Sequence, residues 1–322
     1  MAETCIGIDL GGTFIKFVAT DTQGGASEIF ELPTPTDGGV EGLVEQMVCG
    51  ARKLVESSAD SGDRVIGVGV GSPGALDLKA GVVLGSPNIA EMVNVPLRDM
   101  VAAPLGLPVV LENDANAAAY GEYISGAGKD VDDLVMLTLG TGVGGGVVIG
   151  GQLLHGAHEI GSELGHMIIV PDGAPCGCGQ HGCLEQYCSA RFMAERTMAR
   201  IASEKPQTAL NAVLEARGSI DAKDINEARA DGDALASEVW DQTMRYLALG
   251  CVSLSRIFDP DKIVLAGGMT KAGSDLIDPV RAHFADLHWK MTEIKTEVAI
   301  ATLGSDAGAI GAAGVAWHEF GS

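Results

Sequence analysis

The chain has 322 residues, 46% of them hydrophobic and 20% charged, enough for about two domains rather than one small core. Its 43 acidic residues against 21 basic ones give a net charge of −22, and no Lys/Arg cluster offers the basic face that a nucleic-acid binder needs. The opening MAETCIGIDL has no basic leader region, and no run of about 20 uncharged apolar residues occurs, so neither a signal peptide nor a membrane span is expected. Seven Cys, three of them crowded into 176–183, read as reduced thiols of a cytoplasmic protein rather than a disulfide framework.

In chain order, ETCIGIDL reads as a first strand, followed by a Gly-Gly turn and a returning strand FIKFVATD. Apolar residues near helical spacing, from Val40 to Val55, predict a helix over about 39–58. RVIGVGVG has the look of a buried strand, and SPGALD and LGSPN punctuate the loops after it. LPVVLEND is a further strand that runs directly into the Ala-rich helix ANAAAYGEYISG. A second half then opens as the first did: LVMLTL is a strand, GTGVGGG a glycine turn and VVIGGQLL the returning strand. Two strand–glycine loop–strand hairpins suggest an internal duplication. From about 188 to 258 the chain is mostly helical, one more strand is KIVLAGG, and 304–320 reads as a small-residue helix lying close to another backbone. The boundaries expected are a smaller α/β domain over 1–115 plus the C-terminal helix at about 305–322, and a larger one over 116–304, closely joined with a cleft between them.

Three clusters carry chemistry. Gly11-Gly12-Thr13 and Gly140-Thr141-Gly142 sit on strand-to-strand turns, where glycine allows positive φ and lets backbone N–H groups approach a phosphate. Neither is a Walker A loop or a Rossmann turn, since a strand follows each. Asp9, at the strand end, is placed to hold Mg²⁺ beside a phosphate. In the second cluster, Asn113 and Asp114 stand where a strand meets a helix. From position alone Asp114 is equally a helix cap or a carboxylate facing the ligand crevice. Transfer of a phosphoryl group to an alcohol needs such a carboxylate to take the hydroxyl proton.

The third cluster is Gly165-His166 and Cys176-Gly-Cys178-Gly-Gln-His181-Gly-Cys183-Leu-Glu185. Cys176, Cys178, Cys183 and His166 match a Cys3His structural zinc site, with His166 favoured over His181 as the fourth ligand. Such a site braces the loop carrying Glu163, His166 and Glu185, whose carboxylates and imidazole suit a polyhydroxylated ligand. The carboxylates are alternatively partners to the metal ligands.

DLGGTFIK, GSPG, SPN, ENDANAAAYGE, LGTGVGGG, SELGHM, CGCGQHGCLE and LAGGM, in this order along nearly the whole chain, resemble the ROK family of repressors, open reading frames and sugar kinases. The resemblance implies an actin-like, ribonuclease-H-like fold of two α/β domains and an ATP-dependent hexose kinase, most like the glucokinases. It implies Asp114 as general base, and Asn113, Glu163, His166 and Glu185 as sugar contacts, with Gly74 and Asn88 lining the same pocket. Gly11, Gly12, Thr13, Gly140, Thr141 and Gly142 would hold phosphates, and Gly267 and Gly268 would meet the adenosine end of ATP. Homodimers or higher homo-oligomers are common among such kinases. Many members carry Lys directly after the Thr of the first loop; here Phe14 stands there and Lys16 follows, and Lys16 is given no catalytic part. The open alternatives are a kinase for another sugar (N-acetylglucosamine, N-acetylmannosamine, fructose or allose), polyphosphate as donor, a non-catalytic sugar sensor, and a DNA-binding regulator, which the charge disfavours.

Overall fold

The computed structural model describes residues 2–21, 25–27, 29–86 and 89–321; Asn88 falls outside the described residues. The first half runs β1 (Glu3–Leu10), β2 (Phe14–Thr20), β3 (Phe30–Pro33), α1 (Gly39–Asp60), β4 (Arg64–Ser72), β5 (Ala75–Asp77), β6 (Val82–Gly85), α2 (Leu97–Leu105), β7 (Val109–Asn113) and α3 (Asp114–Ser125). The second runs β8 (Leu134–Leu139), β9 (Val143–Ile149), β10 (Gln152–Leu153), α4 (Glu185–Cys188), α5 (Ala190–Glu204), α6 (Leu210–Arg217), α7 (Ala222–Ala230), α8 (Ala234–Phe258), β11 (Lys262–Ala266), α9 (Ser274–Leu287), β12 (Glu297–Ile300) and α10 (Ala307–Phe320).

The two major sheets have the same plan. One is ordered β3-β2-β1-β4-β7, the other β10-β9-β8-β11-β12. In the first, β1 pairs antiparallel with β2 and parallel with β4, and β4 pairs parallel with β7. In the second, β8 and β12 both pair parallel with β11, and β9 pairs antiparallel with β10. The duplication expected from the two glycine hairpins is therefore present at the level of topology. One correction applies to the second hairpin: VVIGGQLL is not one strand. Gly150 and Gly151 take φ of 56° and 78°, the left-handed pair that a tight hairpin turn requires, and the chain reverses there into β10.

The core of the first sheet is the apolar face of α1 (Leu43, Val44, Met47, Ala51) against Ile6, Ile8, Phe17 and Val70. Its opposite face takes α10, whose small residues bring backbones together. A Cβ on Gly7 would lie 1.9 Å from the Ala309 carbonyl oxygen, and one on Gly69 would lie 1.8 Å from that of Ala312. Gly311 and Gly121 make the same close approach between α10 and α3. No methyl group fits at these crossings, which explains the Gly/Ala stripe of the last helix.

The chain forms two compact units: residues 1–132, 146–162 and 302–322, and residues 133–145 with 163–301. The boundary thus falls after Asp132, not after residue 115. Because α3 packs backbone to backbone on α10, it belongs to the first unit. The segment 146–162 also returns to it. Among the described residues no helix is long and apolar enough to cross a membrane.

Candidate active site

In the first unit, the parallel strands β1, β4 and β7 end side by side. Asp9 is in register with Gly71, and Ser72 with Asn113, so Asp9, Ser72 and Asn113–Asp114 share the carboxyl edge of the sheet. That edge is where ligands bind in open α/β sheets. Gly74 (φ 107°) turns the chain just beyond β4.

The helix-cap half of the question left open for Asp114 is answered by its neighbour. The Oδ1 of Asn113 accepts the amide hydrogens of Ala115 at 2.9 Å and Asn116 at 3.2 Å, so Asn113 is the N-cap of α3. Asp114 occupies the first helical position. Its Oδ1 accepts the adjacent Ala115 amide at 2.9 Å. Burial raises its pKa, opposed by the Ala115 amide and by a hydrogen bond from the Asn113 side chain.

Asp9 is pushed up to about 6, first by burial and then by the nearby Asp114 carboxylate, with Lys16 opposing. A Cβ on Gly308 would stand 2.6 Å from Asp9 Oδ2, so the carboxylate lies against the first turn of α10. Lys16 donates to the Ser305 carbonyl at 2.9 Å, its Oγ at 2.7 Å and Asp306 Oδ1 at 2.8 Å, fixing the lead-in to that helix.

The first glycine loop is pinned by Gly11 N–H donating to the Phe14 carbonyl at 3.1 Å and by Thr34 Oγ1 donating to the Gly11 carbonyl at 2.6 Å. Neither Gly11 nor Gly12, nor Gly140 or Gly142 in the second loop, has positive φ. Two of them supply space instead: a Cβ on Gly11 would meet the Phe14 carbonyl at 2.6 Å and one on Gly142 the Glu185 carboxylate at 2.4 Å, whereas one on Gly140 would meet nothing within 4 Å.

The second unit gathers the remaining residues. Glu185 Oε2 accepts the Val143 amide at 2.9 Å, and the Gly140 carbonyl accepts the Ala190 amide at 2.9 Å, so α4 and α5 fasten the loop Gly140–Gly142. Thr141 is exposed at its tip. Gly267 and Gly268 follow β11 and are exposed; the Gly267 carbonyl accepts the Thr270 amide at 3.1 Å and its Oγ1 at 2.7 Å. Glu163 is exposed and His166 half-buried. Leu164–His166 is a 3-10 turn in which the His166 amide donates to the Glu163 carbonyl at 3.0 Å. Residues three apart lie over one another in such a turn, as their spacing predicts.

The ligating atoms of His166, Cys176, Cys178 and Cys183 all lie within 4.8 Å of one another. His166 Nδ1 is 3.6 Å from Cys176 Sγ, and Cys178 Sγ is 3.7 Å from Cys183 Sγ. A tetrahedron with Zn–S of about 2.3 Å and Zn–N of about 2.0–2.1 Å has S···S and N···S edges of roughly 3.6–3.8 Å, so the four side chains fit such an ion. A disulfide would need sulfurs about 2.05 Å apart. Gly182 (φ 78°), whose Cβ would fall 1.7 Å from the Val170 carbonyl, lets the chain fold Cys183 back toward His166. His181 is exposed and outside the cluster, as the preference for His166 requires.

Sequence reasoning did not single out Glu112 and His155. Glu112 is 2% exposed. Its Oε1 accepts the Asn113 amide at 2.8 Å and Asn116 Nδ2 at 3.0 Å, and its Oε2 pairs with His155 Nε2 at 2.7 Å. A carboxylate ending an otherwise apolar strand was a visible signal; its partner, 43 residues on, was not.

A duplicated sheet with acidic residues at the edge of one copy and a glycine hairpin in each defines the actin-like, two-domain sugar kinase class. A family model described as "ROK family" matches residues 5–319. The chain belongs to the ROK family. It is 36% identical over 307 residues to the glucokinase of Halalkalibacterium halodurans, covering 95% of this chain and 92% of that protein. It superposes on a ROK hexokinase from Thermus thermophilus with a TM-score of 0.82, at 34% identity over 98% of both chains. A ROK family glucokinase from Streptomyces griseus in complex with glucose and AMPPNP gives a TM-score of 0.77, at 36% identity over 98% of this chain and 99% of that one.

Proposed function

We propose that the protein is an ATP-dependent hexose kinase that phosphorylates glucose to glucose 6-phosphate, with Asp114 as general base. The observation that carries this reading is the division of labour at the start of α3: Asn113 caps the helix, leaving an Asp114 carboxylate at the carboxyl edge of the sheet to take a proton. Burial makes that carboxylate a better base than one in water, since it raises the pKa toward that of a group working near neutrality.

Asn113, Glu163, His166 and Glu185 are read as sugar contacts and Gly74 as part of the pocket wall, with Asn88 assigned on sequence alone. Carboxylates accept from sugar hydroxyls, an imidazole both donates and accepts, and the Asn113 amide, its oxygen engaged in the cap, offers its nitrogen as a donor. Gly11, Gly12, Thr13, Gly140, Thr141 and Gly142 supply backbone N–H and hydroxyl donors to phosphate oxygens. Gly267 and Gly268, exposed beyond β11, are assigned to the adenosine end. Asp9 would hold Mg²⁺, which supplies charge neutralisation for the transferring group. The donor set at His166, Cys176, Cys178 and Cys183 would hold structural zinc, bracing the turn that carries Glu163 and the start of α4. His166 Nδ1 faces Cys176, which leaves Nε2 for the sugar. The acidic chain is assigned no nucleic-acid partner, a cytoplasmic place and a homo-oligomeric state.

An ATP-consumption assay across hexoses and N-acetylhexosamines tests this. Glucose is expected to give the highest kcat/KM. A preference for N-acetylmannosamine or N-acetylglucosamine would reassign the substrate, and no turnover with any sugar would remove the kinase reading.

A further inference from the structure

We infer that Glu112, held from behind by His155, is a positioning residue for phosphoryl transfer: it fixes the main chain of Asn113, whose side chain caps α3 and sets Asp114. The inference rests on Asp114 being the base. A carboxylate 2% exposed is costly unless each oxygen is partnered, and here the partners are not arbitrary. One is the amide of Asn113, the residue whose side chain caps α3 and hydrogen-bonds Asp114. Another is the side chain of Asn116, whose own amide is capped by Asn113. Glu112 Oε1 therefore closes a ring of hydrogen bonds around the first turn of the helix that begins with Asp114. Buried polar rings of this kind hold a unique geometry when every member is satisfied.

The other oxygen reaches His155, just beyond β10, in the segment that continues toward Glu163. That segment is closed on itself by Gly161 N–H donating to the His155 carbonyl at 2.9 Å. It is anchored again by Glu159, whose Oε2 accepts the Leu78 amide at 2.8 Å, and it holds both Glu159 and Ser162 at positive φ. Non-glycine residues in that region persist only where surrounding contacts over-determine them. His155 thus joins the first turn of α3 to a rigidly fastened loop. It is faced by Glu112 and Glu159, and Lys79, Arg98 and His318 line the same cavity of about 580 Å3. Asp114 is faced by Asn113 and Asp9, with Lys16 and Asp306 beside Asp9.

Glu112→Ala, Glu112→Gln and His155→Ala, each compared with the intact protein, test the inference. Glu112→Ala is expected to lower kcat at least about tenfold with KM for ATP little changed. It should also move the acid limb of kcat/KM to higher pH, because a loosened Asn113 no longer lowers the Asp114 pKa. Glu112→Gln keeps the Oε1 acceptor and should restore kcat to within about threefold; His155→Ala should fall between. A merely structural role would reduce kcat only in proportion to folded protein, with the limb unmoved, and that result overturns the inference. So does wild-type kcat in both Glu112→Ala and His155→Ala. If Asp114→Asn itself turns over normally, the base assignment fails instead, which separates the two outcomes.

Discussion

The carboxylate of Glu185 and the amide of Val143 are hydrogen-bonded at 2.9 Å, so the first residue of α4 fastens the second glycine loop. The same side chain is assigned to the sugar. On that assignment two ligands depend on one carboxylate, and Glu185→Ala should raise KM for both glucose and ATP, whereas a residue touching only sugar would raise one. Removing a charged hydrogen-bond partner costs about 1.5–3 kcal/mol, roughly ten- to a hundredfold in binding. Initial rates over a two-substrate grid check it.

The zinc assignment predicts about one zinc per chain by elemental analysis of protein purified without chelator. Cys178→Ser, at the exposed ligand, should lower metal content and Tm together, because structural zinc contributes folding free energy directly. Full-length protein with no zinc and an unchanged Tm in Cys178→Ser would contradict it.

Asp9 illustrates a conflict between stability and function. Its folded pKa of about 6 lies above the ordinary 3.8, so the folded state favours the protonated form. By linkage the group adds stability below about pH 4 and loses it as pH rises through about 6, which leaves a destabilising carboxylate at neutrality. Asp9→Asn should therefore raise Tm at pH 7.5 in the absence of Mg²⁺ and nucleotide, while lowering kcat. Thermal melts at pH 5 and 7.5 check the sign: the gain should shrink at the lower pH.

Burial also sets the pH dependence of turnover. Asp114 must be ionised to accept a proton, and its pKa is raised, so kcat/KM should fall on the acid side at a pH above the ordinary carboxylate range near 3.9. A profile flat down through the ordinary carboxylate range, in protein shown to remain folded, would argue against a buried base.

Much of this was legible in the chain because it is local. The glycine hairpins announced the duplicated sheet, the Gly/Ala pattern of 304–320 announced a helix in backbone contact, and Cys-x-Cys spacing with a preceding His announced the convergence of His166, Cys176, Cys178 and Cys183. What was not legible is long-range or short. β12 has four residues and α2 carries Pro104 inside it, so neither gave a clear period. The domain boundary after Asp132 depends on α3 meeting α10, nearly 200 residues later, and the Glu112–His155 pair depends on β10 returning its loop to β7. The glycines of both loops suggested backbone torsion, whereas Gly11 and Gly142 serve for room.

The central claim is that Asp114 takes the sugar proton, and the most direct measurement is the turnover of Asp114→Asn with glucose and ATP alongside calorimetric glucose binding. The account predicts a folded protein that binds glucose within a few-fold of wild type, with kcat down by ~10²–10⁴-fold, the usual contribution of a general base. Glucose binding with near-normal kcat would contradict it.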